Sequence, residues 1–307
     1  MPNTLVHVAV QGPVSRLVWK DTGLQWVAIG CILPDLPWII QRVLFLLPEI
    51  DRLLLRCYVT VQASLLFCLI LSAAISLFTR TPARIFCLLG ANSALHLLLD
   101  ATQIKWANGI HFFIPITYNS IRFDWFWPEH PLTYLLTLAG LLILLFSWRK
   151  NAARGLQLAV PGWIKGAVGT FLLAAYLLTP PLLINGLIEA DYLYINTLLQ
   201  AVDRPGRPVE FDRGVYHYGD KKIRIFTGEH LQLQGNLPPA SGESEDKISL
   251  QGTFVSPAVI EVAHYHIHNS YRDRASYLGL FLLLLLTLHS FYHDLRHQAQ
   301  PPKGDVT

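Results

Sequence analysis

Two ionisable residues lie four positions apart in an apolar stretch of the chain, Ala94-Leu95-His96-Leu97-Leu98-Leu99-Asp100. Side chains at this spacing project from one face of a helix, so an imidazole and a carboxylate can reach the same metal ion. Two such groups inside an apolar helix are costly unless they are paired or bind a ligand. The spacing therefore indicates either a pair of metal ligands or a structural hydrogen bond between helices.

A third ionisable residue, Asp35, stands between two prolines in Leu33-Pro34-Asp35-Leu36-Pro37-Trp38. Prolines free backbone carbonyls, which a membrane-spanning segment tolerates only beside protein or a water-filled cavity. A carboxylate at such a break can be a metal ligand or a general base, and the alternative is a kinked helix that Asp35 caps. Three ionisable groups in apolar segments are hard to explain by packing alone.

Two histidines could complete such a site. His7 lies in the short apolar segment Leu5-Val6-His7-Val8-Ala9-Val10, and an interfacial position is the alternative. His111 follows Asp100 by eleven residues, so it can fold back over the outer mouth of the site. The alternative for His111 is a place among the aromatic residues at the membrane boundary.

Two further polar clusters fall in predicted extramembrane segments: His264, His266 and His268, and Asp124, Glu129 and His130. Alternate residues of a strand share one face, so the three histidines could together bind a metal. No carboxylate or cysteine joins them at ligand spacing, and we interpret them as a solvated strand face. The second cluster is interpreted as a solvated loop, with substrate contact as the alternative.

The composition indicates an integral membrane protein. Of 307 residues, 52% are hydrophobic and 15% are charged, whereas soluble domains carry about 25% charged residues. These values exclude disorder, a coiled coil and a nucleic-acid-binding domain. A bilayer core requires about 20 apolar residues per helix, and six segments qualify: 24–47, 57–78, 83–104, 131–148, 164–188 and 276–292. No cleaved signal peptide is expected.

Lysines and arginines predict the orientation. They cluster before the first span, between the second and third, between the fourth and fifth, and after the last. The positive-inside rule places these segments and both termini in the cytoplasm of a cell with an inner membrane. Residues 105–130 and 189–275 then face outward, into a periplasm.

The chain divides into four predicted parts: 1–150 with four spans, 151–188 with the fifth, 189–275, and 276–307 with the last span and a disordered tail after His297. Alternating β-branched residues in 189–275 predict a small barrel or sandwich of four to six strands. Four cysteines, at positions 31, 57, 68 and 87, form no C-x-x-C and predict buried residues without disulfides.

Several of these motifs occur in a recognisable order: His7, Leu33-Pro34-Asp35, His96-x-x-x-Asp100-Ala101-Thr102, and the Gly/His/Pro stretch 109–115. This order resembles the bacterial membrane-bound metal-dependent hydrolase family, itself distantly similar to zinc-dependent phospholipase C. The resemblance covers about residues 1–150. It implies that His7, Asp35, His96 and Asp100 are ligands of a divalent ion, zinc in the related enzymes.

The chain departs from that family at two places. The family has His-Arg-Gly-x-x-His-Ser at the start of span two, where residues 56–64 here lack both histidines and Gln62 is the nearest polar residue. A second aspartate of the family is replaced by Pro37. These losses imply one metal ion instead of two, or a site that binds none.

The leading hypothesis is a hydrolase in which a single divalent ion activates water against an ester or phosphodiester of an amphiphilic substrate. Asp35, His96 and Asp100 would hold the ion, His7 or His111 would complete the site, and His111 or a ligand carboxylate such as Asp35 would accept the proton. One alternative is a non-catalytic inner-membrane protein whose outer β domain binds a partner. Another is an ion- or proton-coupled transporter.

Overall fold

The fold is taken from a computed structural model that describes residues 3–20, 23–152, 156–191, 193–239 and 244–299. The tail predicted to be disordered lies outside the described residues from position 300 onward. The helices are α1 Thr4–Val18, α2 Leu24–Ile32, α3 Leu36–Leu44, α4 Arg52–Gln62, α5 Leu65–Ser76, α6 Pro82–Ala101, α7 Pro131–Ala152, α8 Trp163–Leu178, α9 Ile184–Ala190, α10 Ile195–Leu199 and α11 Tyr271–Ala299. The strands are β1 Pro208–His217, β2 Lys222–Arg224, β3 His230–Gly235, β4 Glu245–Ser256 and β5 Val259–His268.

Four helical segments are long and apolar enough to cross a membrane: Leu24–Leu44, Pro82–Ala101, Pro131–Trp148 and Tyr271–Arg296. They coincide with four of the predicted spans. The other two predicted spans fall on bent helix pairs, α4 with α5 at 69° and α8 with Pro180–Ala190 at 44°. The second break falls at two consecutive prolines, which cannot continue a helix. The described chain therefore has four such helices, or six if each bent pair counts as one span.

Helix α1 was not among the predicted spans, yet it lies inside the helical region. The Asn3 amide donates to the Thr137 hydroxyl of α7 at 2.6 Å, and the Thr4 hydroxyl donates to the Ser276 carbonyl of α11 at 3.3 Å. Near the other end of α1, Arg16 donates to Ser147. Helix α1 therefore runs parallel to α7 and starts where α7 and α11 also start.

This arrangement corrects the predicted position of the N-terminus. Helix α11 begins three residues after the last strand, so Asn3 lies at the end of the helical region that carries the β region. The expectation that the N-terminus and the β region lie on opposite sides is wrong. Charge counting missed this because α1 has only 15 residues and falls short of a full span.

The five strands form a closed barrel in the order β1-β2-β3-β5-β4, with β3 and β5 parallel and the other pairs antiparallel. The predicted strand number is confirmed, but the strands begin at Pro208 because α9, α10 and a short 3-10 turn fill most of 184–203. The buried apolar side chains of the barrel form one continuous cluster with those of α4, α5 and α6.

The cysteines form no disulfide, as predicted: Cys31, Cys57 and Cys68 are buried as free thiols. Cys87, predicted to be buried, is exposed on α6.

Replacing Gly140 with alanine tests the packing of α1. A Cβ at this position on α7 would collide with the Leu5 carbonyl group of α1. We expect Gly140→Ala to lower the free energy of unfolding in detergent by about 1–3 kcal/mol, as overpacking does, measured as a lower thermal midpoint. Gly166→Ala on α8 is the control, since nothing lies within 4 Å of its added Cβ. Equal midpoints for the two variants would contradict the placement of α1.

Candidate metal centre

Three helical elements bring the predicted ligands to one place. His7 comes from α1, while His96 and Asp100 lie one turn apart on α6. Asp35 ends a single 3-10 turn, Leu33–Asp35, between α2 and α3. Pro34 and Pro37 are the second residues of that turn and of α3, within the first turn, where a missing backbone N–H breaks no hydrogen bond of the element.

Two of the distances among these side chains are close to the separation of ligand atoms around a zinc ion, and a third is longer. His7 Nε2 lies 3.4 Å from Asp100 Oδ1, and His96 Nε2 lies 3.5 Å from Asp35 Oδ1 and 3.9 Å from Asp100 Oδ2. Ligand atoms of a tetrahedral zinc ion are roughly 3.3 Å apart, because each bond is about 2.0–2.1 Å long. The two imidazole rings stack with centroids 3.7 Å apart and planes 3° from parallel. Because a metal lies near the plane of an imidazole that binds it, one ring must tilt out of this stack before both can bind the same ion.

Several donor atoms at this centre have no hydrogen-bond partner within the described part of the chain. They are His7 Nε2, both ring nitrogens of His96 and Asp100 Oδ1, all buried. Buried polar atoms are nearly always paired in folded proteins, so a group of unpaired ones calls for a ligand or ion. The donor set of two imidazoles and carboxylate oxygens suits zinc and similar divalent ions.

The Gln11 amide controls which His7 nitrogen carries hydrogen. Its Nε2 lies 3.4 Å from His7 Nδ1, while its oxygen accepts from the Cys31 thiol at 3.1 Å. In this orientation His7 Nδ1 accepts, and the N–H of Nε2 faces Asp100. Turning the amide over lets Nδ1 donate to the amide oxygen, and Nε2 can then bind a metal.

Lys105, which the sequence analysis did not single out, belongs to the same centre. Its ammonium nitrogen lies 3.2 Å from Asp100 Oδ2, and both side chains are 4% exposed. The lysine neutralises one carboxylate, and it makes no hydrogen bond to the unpaired imidazole nitrogens of His7 and His96. Its position five residues after Asp100, where α6 has ended, gave no helical spacing from which to infer the contact.

A cavity of about 30 Å³ opens onto this centre and is lined by Asp35, His96, Asp100, Lys105 and His111 among others. It holds about two water-sized groups, since each needs roughly 10–15 Å³. His111 Nδ1 donates to the Tyr118 carbonyl at 2.7 Å, which leaves Nε2 with the lone pair. Burial lowers the pKa of His111 below its ordinary value, and the Arg56 charge adds to this against the opposing hydrogen bond to Tyr118.

The position of Gln62 differs from the one expected from the sequence. Gln62 donates to the Tyr176 carbonyl at 3.1 Å and so turns toward α8, whereas Thr60 and Ala63 line the cavity. It therefore does not replace a family histidine at the centre.

The interpretation of His266 and His268 as a solvated face is also wrong, because the Glu129 carboxylate contacts both rings. Glu129 comes from a distant loop, so sequence spacing could not reveal this contact.

Comparison with protein-family models, with curated proteins and with solved structures gives no match. The resemblance to the membrane-bound metal-dependent hydrolases thus stays a prediction carried by the residues quoted above.

Replacing Lys105 with methionine tests the charge balance of the centre. Removing one partner of a buried ion pair destabilises a protein by roughly 3–5 kcal/mol, so we expect a lower thermal midpoint in metal-free buffer. Added Zn²⁺ should raise that midpoint more than it raises the wild-type value, because Asp100 has lost its competing cation. Lys165→Met, at an exposed position on α8, should change neither. A Lys105→Met midpoint insensitive to zinc would contradict metal ligation by Asp100.

Proposed function

We propose that this chain is a membrane-embedded, metal-dependent hydrolase acting on an ester or phosphodiester of an amphiphilic substrate. The observation that carries the proposal is the convergence of His7, His96 and Asp100, whose ligand atoms all lie within 4.8 Å of one another. Asp35 joins them through His96. We infer one divalent ion at this centre, zinc by the chemistry of its donors.

The helical region fits a lipid environment. Large apolar side chains point outward along the candidate spans: Leu135 and Phe146 on α7, Phe171 and Leu178 on α8, and Phe281 and Leu288 on α11. Apolar surface of this extent is stable in a bilayer and unfavourable in water. We place six spans in a bacterial inner membrane, together with the shorter helix α1 crossing beside them, with the barrel and Asn3 on the outer side.

Charge supports that orientation. Helix α6 ends at the loop between α6 and α7, which contacts the barrel. Arg80 and Arg84, at the start of α6, therefore lie at the end of the helical region that is far from the barrel. Arg16 at the end of α1 lies there too. Lysine and arginine favour the cytoplasmic side, which leaves the barrel outside.

The residues around the cavity take separate roles. A divalent ion bound at the centre supplies Lewis acidity, which polarises an ester or phosphoryl oxygen and lowers the pKa of water. The His111 Nε2 lone pair accepts the proton of the attacking water. The Lys105 ammonium stabilises negative charge that develops on the substrate. Asp35, with 17% of its side chain exposed, is the more open carboxylate and is the alternative proton acceptor.

One observation favours a second candidate, a non-catalytic membrane protein whose barrel binds a partner. Lys105 neutralises Asp100 without a metal, and the amide of Gln11, as oriented, directs the N–H of His7 toward Asp100. The cluster would then fix the packing of α1 on α6. The transporter hypothesis remains a prediction that no contact among the described residues favours.

Metal content separates the two candidates. We expect protein purified in detergent to lose one equivalent of zinc in His96→Ala and in Asp100→Asn, because each removes a ligand. His289→Ala is the control, since this histidine lies exposed on the candidate span of α11. Unchanged zinc content and folding in the first two variants would favour the structural cluster.

The pH dependence of hydrolysis tests the role of His111. A general base acts only when it is neutral, above its pKa, and this pKa lies below the ordinary value of 6.5. We therefore expect hydrolysis of bis(p-nitrophenyl) phosphate or an acyl p-nitrophenyl ester to rise with pH along a limb centred below pH 6.5. His111→Asn should reduce kcat by roughly 10²–10⁴-fold and abolish that limb. If hydrolysis by His111→Asn still rises with pH along the same limb, the general base is another group, and Asp35 is the first candidate.

A further inference from the structure

A second group of ligand-type side chains lies where the barrel meets the start of α7. Glu129 precedes α7 by two residues, while His266 and His268 occupy one face of β5. Glu129 Oε2 lies 3.2 Å from His266 Nε2, and Glu129 Oε1 lies 3.0 Å from His268 Nδ1. One ligand atom from each of the three residues lies within 4.8 Å of the other two.

The hydrogen bonds behind His268 determine its tautomer. Ser249 Oγ donates its single hydrogen to Asp212 Oδ1 at 2.9 Å and accepts from the Arg213 backbone N–H at 3.1 Å. His268 Nε2, 2.7 Å from the same oxygen, must therefore supply the hydrogen of that contact. In neutral His268 the lone pair of Nδ1 then faces a Glu129 carboxylate oxygen. Two acceptors at this distance need either a proton, carried by His268 or Glu129, or a metal cation between them.

The surroundings hold the rings in place and leave one side open. Trp127 stacks on His266 with centroids 3.8 Å apart and planes 4° from parallel. His268, Ser249 and Asp212 form a chain of the kind that orients metal-bound histidines. A groove of about 750 Å³ borders the cluster, and Glu245 and Asp246 add carboxylates to its wall.

We propose that Glu129, His266 and His268 bind a zinc-class divalent ion, independent of the centre among the helices. Two imidazoles and one carboxylate form a common three-residue set for zinc with a further position for water. That position would open to the groove. Because the ligands come from β5 and from the loop before α7, the ion would fasten the barrel to the helical region.

The same atoms also have the order of a Ser-His-Glu triad, with Ser249 next to His268 and His268 next to Glu129. This alternative fails on two observations. Ser249 is fully buried, so no substrate carbonyl can reach it. Its hydroxyl hydrogen is directed to Asp212 and not to the histidine.

Zinc binding in a chain that lacks the helical centre tests the proposal. We use a His96→Ala/Asp100→Asn background in detergent and measure bound zinc after equilibration with ZnSO₄. One equivalent is expected, and it should be lost on adding Glu129→Gln or His266→Gln. Ser249→Ala should weaken zinc affinity by roughly 10–100-fold, as loss of an outer-shell partner does. His264→Gln is the matched control, being an exposed histidine two residues away on the same strand.

The outcomes distinguish this proposal from the proposed function. If the helical centre binds no metal, wild-type protein still carries one zinc that Glu129→Gln removes and Asp100→Asn does not. Zinc content that is equal with and without Glu129→Gln and His266→Gln, in variants with wild-type thermal midpoints, would overturn the barrel site. Absence of zinc from the His96→Ala/Asp100→Asn background would overturn it as well.

Discussion

The structure depends on how one buried carboxylate is neutralised. Asp100 sits at the end of an apolar helix, and removing a charge from water costs several kcal/mol unless partners compensate. His7, His96 and Lys105 surround it at 3.2–3.9 Å. The buried helix α1 brings His7 to this carboxylate. The turn of the chain after α6 brings Lys105 to it. The chemistry proposed for the site follows from the same cluster.

The barrel is tied to that cluster through the loop between α6 and α7. Glu210 of β1 accepts from the Ala107 backbone N–H at 2.8 Å and pairs with Arg122 at 2.6 Å. The same loop supplies Lys105 and His111 to the cavity. The barrel thus contacts the loop whose residues would handle substrate and protons, which gives the barrel a role in the proposed site without direct ligation of the helical centre.

The sequence predicted the parts that depend on local spacing. The i, i+4 relation of His96 and Asp100, the break at Asp35 and the strands of the β region follow from periodicity and proline chemistry, and the structure contains all of them. Helix α1 escaped because hydropathy windows require a full span. The contact of Glu129 with His266 and His268 joins residues 137 and 139 positions apart, and depends on how a loop docks against a barrel. Local patterns carry no information about such docking.

The central claim is that an ion lies between the imidazoles of α1 and α6 and the carboxylate of Asp100. Crystals of the protein grown with zinc, measured at the zinc absorption edge, test it directly. We predict an anomalous peak within bonding distance of His7 Nε2, His96 Nε2 and Asp100, with the two rings tilted out of their parallel stack and the Gln11 amide oxygen turned to His7 Nδ1. A map with no peak there, the Lys105 ammonium against Asp100 and the amide nitrogen of Gln11 against His7 would contradict it.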